Sequence, residues 1–435
     1  MRLDGVPRAI AWSAFSSVCA APFLFGAVER SIWIPLCQLW LVLGLAVSLT
    51  QARQSADPES PGPAVMRALL PIHALFLIQL IPLPASILHA ISPGSFAAHF
   101  LPDARDGRFR PISVSPAATV EAWLYLAGLQ GLFLALQSLP RAQRPAAARV
   151  LVGMTLVLAG EGLWQSRTEH PSWLYSRIPI VAPLGLDTAT FGPYFNRNHF
   201  ATVMALGAGW AAGLAITLVR ERGGLVRLLT NPSAMAQGVV LAGASLLLLI
   251  AGAASGSRSG TAAAIAGVAI TLATGAGTRR LLLPLGLALA GLALAGPAAL
   301  ERLMHLDIVT SRWAPWMDMT RLVPFFPVLG SGVGTFHAAY WPYQMNATYE
   351  YWQHAHNEYL QWLIEVGVAG VTVTLLALRG LRRAVVFSDA SRSAAFGATT
   401  AFALQAVLDF PVRIPANAAL LVCMLALSTT IRRPS

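Results

Sequence analysis

The residues best equipped for chemistry gather at a few places in the chain. His354-Ala355-His356-Asn357-Glu358 closes a long polar and aromatic segment and leads into an apolar run that carries Gly367 and Gly370. A histidine with an ordinary pKa of about 6.5 can take a proton from a hydroxyl near neutral pH, and His356 is the candidate for that role. Arginines stand in small or polar settings in Ser257-Arg258-Ser259-Gly260, Asn196-Arg197-Asn198-His199 and Ser311-Arg312-Trp313, and Arg177 and Arg413 are further candidates. Arg197 and Arg258 each open an apolar run. A helix N-terminus offers free N–H groups and the positive end of the macrodipole, so an arginine there makes an anion site, for which phosphate is the natural guest. The plainer alternatives stay open: an arginine reaching to the membrane interface, and an interfacial histidine above ordinary packing glycines.

Around His356 the sequence is rich in rings. Trp313, Trp316, Trp341 and Trp352 lie in one segment with Tyr340, Tyr343, Tyr349 and Tyr351, a third of the Trp and half of the Tyr in the chain. Such rings form interfacial belts, or they stack on the apolar face of a sugar while a ring N–H or O–H bonds a hydroxyl. On the second reading Trp313, Trp316, Tyr349, His354 and Asn357 are expected to contact sugar or acceptor. A metal site built on His354 and His356 would find only Glu350 and Glu358 nearby, so no metal and no cofactor are expected. Gly330-Ser331-Gly332-Val333-Gly334 follows no βαβ pattern and reads as a flexible turn and not a dinucleotide loop. Cys19, Cys37 and Cys423 sit in apolar stretches and read as small buried hydrophobes.

These residues must be positioned by membrane helices. Of 435 residues, 56% are hydrophobic and 11% charged, and mean hydropathy is +0.60, which excludes an ordinary soluble enzyme. Runs of about 20 apolar residues predict twelve helices near 9–28, 31–50, 68–88, 119–138, 147–165, 199–219, 236–254, 260–276, 281–297, 357–378, 394–409 and 415–431. The first, though preceded by Arg2 and Arg8, has no small-residue cleavage pattern and reads as a retained helix. An even number of spans puts both termini on one side. All 30 basic residues are Arg, and placing the termini in the cytoplasm puts 18 of them inside, as the positive-inside bias requires. The net charge of +11 is then a topology signal, and no nucleic-acid partner is expected. Segments near 89–118, 166–198 and 298–356 fall outside, and the even-numbered helices all begin there. The expectation is an all-α polytopic membrane protein, one transmembrane domain over 1–435, with about twelve transmembrane helices and one long periplasmic loop. Positions 356, 360, 363, 367 and 370 are expected to share one helical face.

The set His356-Asn357 with Gly367 and Gly370, Arg312-Trp313-x-x-Trp316, Gly330-x-Gly-x-Gly334-x-Phe336 and Ser257-Arg258-Ser259-Gly260 resembles the O-antigen ligase and O-antigen polymerase superfamily. The likeness is strongest over about 240–375, which includes the loop 298–356. It extends to Phe195-Asn196-Arg197-Asn198-His199-Phe200 and to Pro111-Ile112-Ser113-Val114-Ser115-Pro116. One departure is Val373, where the family's ligases often place another small residue.

The resemblance implies a GT-C-like glycosyltransferase of the bacterial inner membrane, inverting and metal-independent, with its active site in the periplasm. It implies transfer of a glycan from undecaprenyl pyrophosphate onto a saccharide acceptor, lipid A core or a growing polysaccharide such as an exopolysaccharide. It also implies His356 as the catalytic histidine and Arg258, Arg312 and Arg197 as pyrophosphate-binding arginines. The partners are then the lipid-linked glycan, the acceptor and the bilayer, joined by a chain-length regulator in the polymerase case. The rival from another class is a transporter or flippase of a lipid-linked saccharide, which would favour inverted repeats and ionisable residues at the bilayer midplane.

Overall fold

The computed structural model describes residues 5–53, 61–100, 109–168, 191–276, 307–344, 352–388 and 391–430. They are mostly helical. The principal helices are α1 (Gly5–Ala20), α2 (Arg30–Arg53), α3 (Pro61–Leu80), α4 (Pro116–Gln137), α5 (Arg144–Thr168), α6 (Arg197–Glu221), α7 (Pro232–Ala254), α8 (Arg258–Ala276), α9 (Asp307–Thr320), α10 (Glu358–Ala384), α11 (Arg392–Leu408) and α12 (Pro415–Ser428). Seven of them, α2 to α7 and α10, are long and apolar enough to cross a membrane. The expected run at 281–297 lies outside the described residues, and each of the other expected runs falls on a helix.

Local chemistry sets the helix ends. The side chains of Asn196, Asn231 and Asn357 accept from backbone N–H groups in the first turns of α6, α7 and α10, satisfying donors that a helix start leaves orphaned. Pro116, Pro232 and Pro415 open α4, α7 and α12, where the missing N–H costs nothing. Two expected boundaries are corrected. The first run ends at Ala20, not near 28, because Pro22 and a left-handed Gly26 (φ 71°) break it into two 3-10 turns. The third ends at Leu80, not near 88, because Pro82 and Pro84 pass into a short strand, Pro82–Pro84, paired antiparallel with Phe109–Pro111.

Small residues let three helices close on one another. Gly213 lies against Ala394, Gly209 against Ala398, Gly267 against Ala401, and Gly397 against Thr271, so α11 runs antiparallel to both α6 and α8. Gly260 meets Ala201, which sets the first turns of α8 and α6 side by side. Without a hydrophobic drive between helices in lipid, such close backbone approach supplies the packing energy. The consequence is positional: the C-terminal end of α11 stands beside the N-termini of α6 and α8. Gly370 of α10 packs near Leu75, and Gly380 near Ala68, making α10 and α3 a second antiparallel pair.

The segment between α8 and α10 has a small core of its own. Met319, Leu322, Phe326, Phe336, Ala339 and Tyr340 are buried together with Ala355 and with Ile364 of α10. The turn at 327–334 is not the flexible turn expected of its glycines. Gln79 donates to Leu329 O (2.7 Å) and Glu365 O (2.9 Å) and accepts from Val333 N (3.0 Å). Ser331 N and Gly332 N donate to the carbonyls of Ile364 and Glu365, while Val368 N and Ala369 N donate to those of Pro327 and Val328.

This exchange is possible because α10 breaks at Gly367 (φ 63°, ψ −175°). The expected single helical face through 356, 360, 363, 367 and 370 is therefore corrected: His356 precedes the helix, and the stripe is interrupted where the turn inserts. Glycine is needed at the break, since a Cβ at Gly367 would meet Val328 C and O at 2.5 Å and the φ is left-handed. Gly367→Ala should lower stability by about 2–5 kcal/mol from strain and overpacking together. Gly243→Ala, where added bulk meets nothing within 4 Å, should not destabilise, and thermal unfolding of the two purified variants in detergent checks the contrast.

Candidate active site

The site is organised on Asp409. Pro411 stops α11 after Leu408, a 3-10 turn runs through Pro411–Arg413, and Pro415 starts α12, so Asp409 and Phe410 are held at the mouth of the bundle. The Asp409 side chain is fully buried. His356 Nδ1 lies 3.3 Å from its Oδ1, and His199 Nε2 lies 3.8 Å from its Oδ2. Neither oxygen has a well-directed hydrogen-bond donor among the described residues. Burial alone would raise the Asp409 pKa, but His199, His356 and Arg312 outweigh it and hold the carboxyl below its ordinary range.

The loop before α10 presents His356 to that carboxylate. His356 has a left-handed backbone (φ 49°), uncommon for a residue with a side chain. It is held there from both flanks. Ala355 is buried, accepts from Trp316 Nε1 (2.8 Å) and donates to Gln361 Oε1 (3.0 Å), and Asn357 caps α10 through Leu360 N (3.0 Å). Three imidazoles surround the Phe410 ring, with centroids at 4.3 Å for His354, 4.8 Å for His356 and 4.9 Å for His199. Trp352 stands edge-on to His356 at 5.6 Å.

The arginines supply the positive side. Arg312, on α9, is half-buried, and its Nη1 has no hydrogen-bond partner among the described residues. Burial lowers its pKa, Asp409 opposes that, and Arg197 adds to it by repulsion, so Arg197 and Arg312 share one electrostatic neighbourhood with Asp409. Arg258 opens α8 on the turn that abuts the first turn of α6. The structure thus brings His356, Arg197 and Arg312 together and places Arg258 at the same end of the bundle.

Arg413 has a different task. It pairs with Glu358 (3.2 Å) and with the fully buried Glu365 (2.8 Å), tying the turn before α12 to the first two turns of α10. Burial works against its charge, but the two carboxylates overrule that and raise its pKa. Glu365 also accepts from Gln361 (3.0 Å) and from Phe336 N (3.3 Å). Gln361 lies 3.2 Å from His354 Nδ1. Burial, and then the nearby Arg413, lower the His354 pKa well below the usual imidazole value, so His354 is a neutral member of the wall.

The aromatic candidates divide. Trp313 is 59% exposed on α9, open to a large ligand. Trp316 is partly buried against the small core and braces the His356 loop. Asn357 is engaged as a helix cap. Tyr349 and Arg177 lie outside the described residues. Asp409, His199, Glu358 and Glu365 were not among the expected site residues. An acid and an arginine in Asp409-Phe410-Pro411-Val412-Arg413, set between two otherwise apolar spans, were the available signal. Among the described residues no three His, Cys, Asp or Glu side chains converge as metal ligands.

Arg258, Arg312 and His356, with the glycine break of α10, occupy one continuous stretch of the chain. Residues 243–375 match the O-antigen ligase family. The matched stretch runs from the second half of α7 through α8 and α9 into α10, while Arg197, His199 and Asp409 reach the site from outside it. No curated protein matches the chain significantly. With the seven apolar helices, the family match supports a membrane enzyme of O-antigen or lipopolysaccharide assembly, of glycosyltransferase-like chemistry. Arg413→Met would leave Glu365 buried and unpaired, and should cost about 3–5 kcal/mol, read as a lowered unfolding temperature of the detergent-solubilised protein.

Proposed function

We propose that the chain is an inverting, metal-independent glycosyltransferase of the O-antigen ligase type, acting as a single transmembrane domain with its catalytic end in the periplasm and both termini in the cytoplasm. On this reading it is a GT-C-like protein of about twelve helices in the bacterial inner membrane. Its donor is a glycan on undecaprenyl pyrophosphate, and its acceptor is a saccharide hydroxyl on lipid A core or on a growing polysaccharide. The observation that carries this reading is the meeting of His356 with buried Asp409 beside Arg312 and Arg197.

The chemistry follows from the contacts. Asp409 faces Nδ1 of His356, so it favours the tautomer with the proton on Nδ1 and leaves Nε2 as the base. The acceptor oxygen attacks the anomeric carbon and its proton passes to Nε2. The bond from the anomeric carbon to the pyrophosphate oxygen breaks, and undecaprenyl pyrophosphate leaves with the electron pair. Arg312, with Arg197 and Arg258, holds the departing negative charge by directed N–H groups, a role suited to guanidinium in a low-dielectric site. Asp409 stabilises the imidazolium formed at His356. Trp313 offers an apolar face to a sugar ring.

In proteoliposomes supplied with lipid-linked glycan and acceptor, His356→Ala should reduce transfer by about 10²–10⁴-fold, the usual worth of a positioned base, and Asp409→Asn should fall in the same range through loss of the tautomer preference. Arg312→Gln and Arg258→Ala should each lower turnover by about 10²-fold or more. Full transfer by His356→Ala would remove the base assignment, and full transfer by Arg258→Ala would remove that residue from the anion site. A gel of surface glycan from cells lacking the protein separates the acceptors. Loss of all long glycan from lipid A means a ligase, and single repeat units left on core, or loss of exopolysaccharide alone, means a polymerase acting with a chain-length regulator.

A further inference from the structure

The end of the bundle opposite the His356 site contains a cavity of about 690 Å³, lined by the start of α5, the end of α6, the start of α7 and the residues that close α12. That volume falls within the range of sites that hold lipids and other small molecules. Its body is apolar, with Leu156, Leu214 and Val240 among its walls, and its rim carries Arg141, Arg144 and Arg149 against the one acid of the lining, Glu221. Val240 is 67% exposed, so the cavity opens sideways on the outer face of the bundle.

The three arginines are not equivalent. Arg144 is spent on the fold, donating to the carbonyls of Leu139 and Thr429. Arg141 and Arg149 are exposed and pair with no acid among the described residues. Two exposed guanidinium groups with one acid in the lining, above an apolar recess on the outer face of the bundle, match one ligand shape: a phosphodiester at the rim and a hydrocarbon chain in the recess. Basic pockets between transmembrane helices on the cytoplasmic side bind anionic head groups in this way.

We propose that this cavity is a binding site for an anionic phospholipid of the surrounding leaflet, its phosphate held by Arg141 and Arg149 and one acyl chain lying along Leu156, Leu214 and Val240. Binding there stabilises the ends of α5, α6 and α7 against one another. The site is separate from the glycan-transfer end, and the inference does not rest on the transferase reading.

The test is native mass spectrometry of the full-length protein in a neutral detergent, titrated with phosphatidylglycerol or with phosphatidylcholine of the same acyl chains. The wild-type protein should bind phosphatidylglycerol at least tenfold more tightly. Arg141→Gln/Arg149→Gln, which changes two exposed side chains, should lose that preference. Leu214→Trp, which fills the recess and keeps the charges, should weaken phosphatidylglycerol binding at least tenfold. Equal binding of the two lipids by wild type overturns the proposal, as does a wild-type preference that both variants retain. Both readouts are lipid binding and not glycan transfer, so failure here and failure of the proposed enzyme activity are distinguishable.

Discussion

A carboxylate taken wholly out of water must be compensated or it will not stay ionised, and Asp409 is such a group. Arg312 offsets its charge, and His356 and His199 face its oxygens without completing a set of hydrogen bonds. That demand draws together four stretches of chain: the first turn of α6 with His199, α9 with Arg312, the loop before α10 with His356, and the end of α11. Remove the carboxylate and the two imidazoles lose the group they face, while Arg312 and Arg197 have less to offset their repulsion.

The backbone geometry that lets this happen comes from small residues. Were Gly213, Gly260 and Gly267 larger, α6, α8 and α11 would stand further apart, since added atoms would overlap Ala394, Ala201 and Ala401. The antiparallel course of α11 then supplies an acid at its C-terminal end where two helices present their N-terminal ends. Helix N-termini favour anions, so the carboxylate lies in a field that suits its charge. The Arg413 clamp on Glu358 and Glu365 joins α10 to the turn before α12, and so ties together the two segments that carry His356 and Asp409.

Much of this was legible in the sequence. The apolar runs marked the helices because bilayer thickness imposes a length, and the clustering of His and Arg in the segments between them pointed to the end of the bundle where Asp409, His356 and Arg312 meet. His356, Arg312 and Arg197 stood out as candidates because polar residues of these types beside apolar spans need a partner or an interface, and the structure gathers all three around Asp409. Asp409 was harder. Its partners lie 53 and 210 positions away in the chain (409 − 356 and 409 − 199), and no local spacing encodes that approach. The break at Gly367 was hidden for a related reason: its neighbours keep a helical pattern, and only the inserted turn at 327–332, joined through Gln79 from α3, reveals why the helix must open there. The turn itself looked loose because glycines are locally permissive, whereas hydrogen bonds to α3 and α10 hold it.

Gly330 and Gly367 interlock. A side chain at Gly330 would strike the backbone of Glu365 and Val366, and one at Gly367 would strike Val328 and the amide of Gly330. Each position therefore sets what the other can tolerate. In evolutionary terms the two form one unit: a replacement at either must force the turn and the helix apart, and each position also carries the strain of its own left-handed φ (73° at Gly330, 63° at Gly367). Glycine is therefore required at both positions at once, and the loop that carries His356 inherits that constraint.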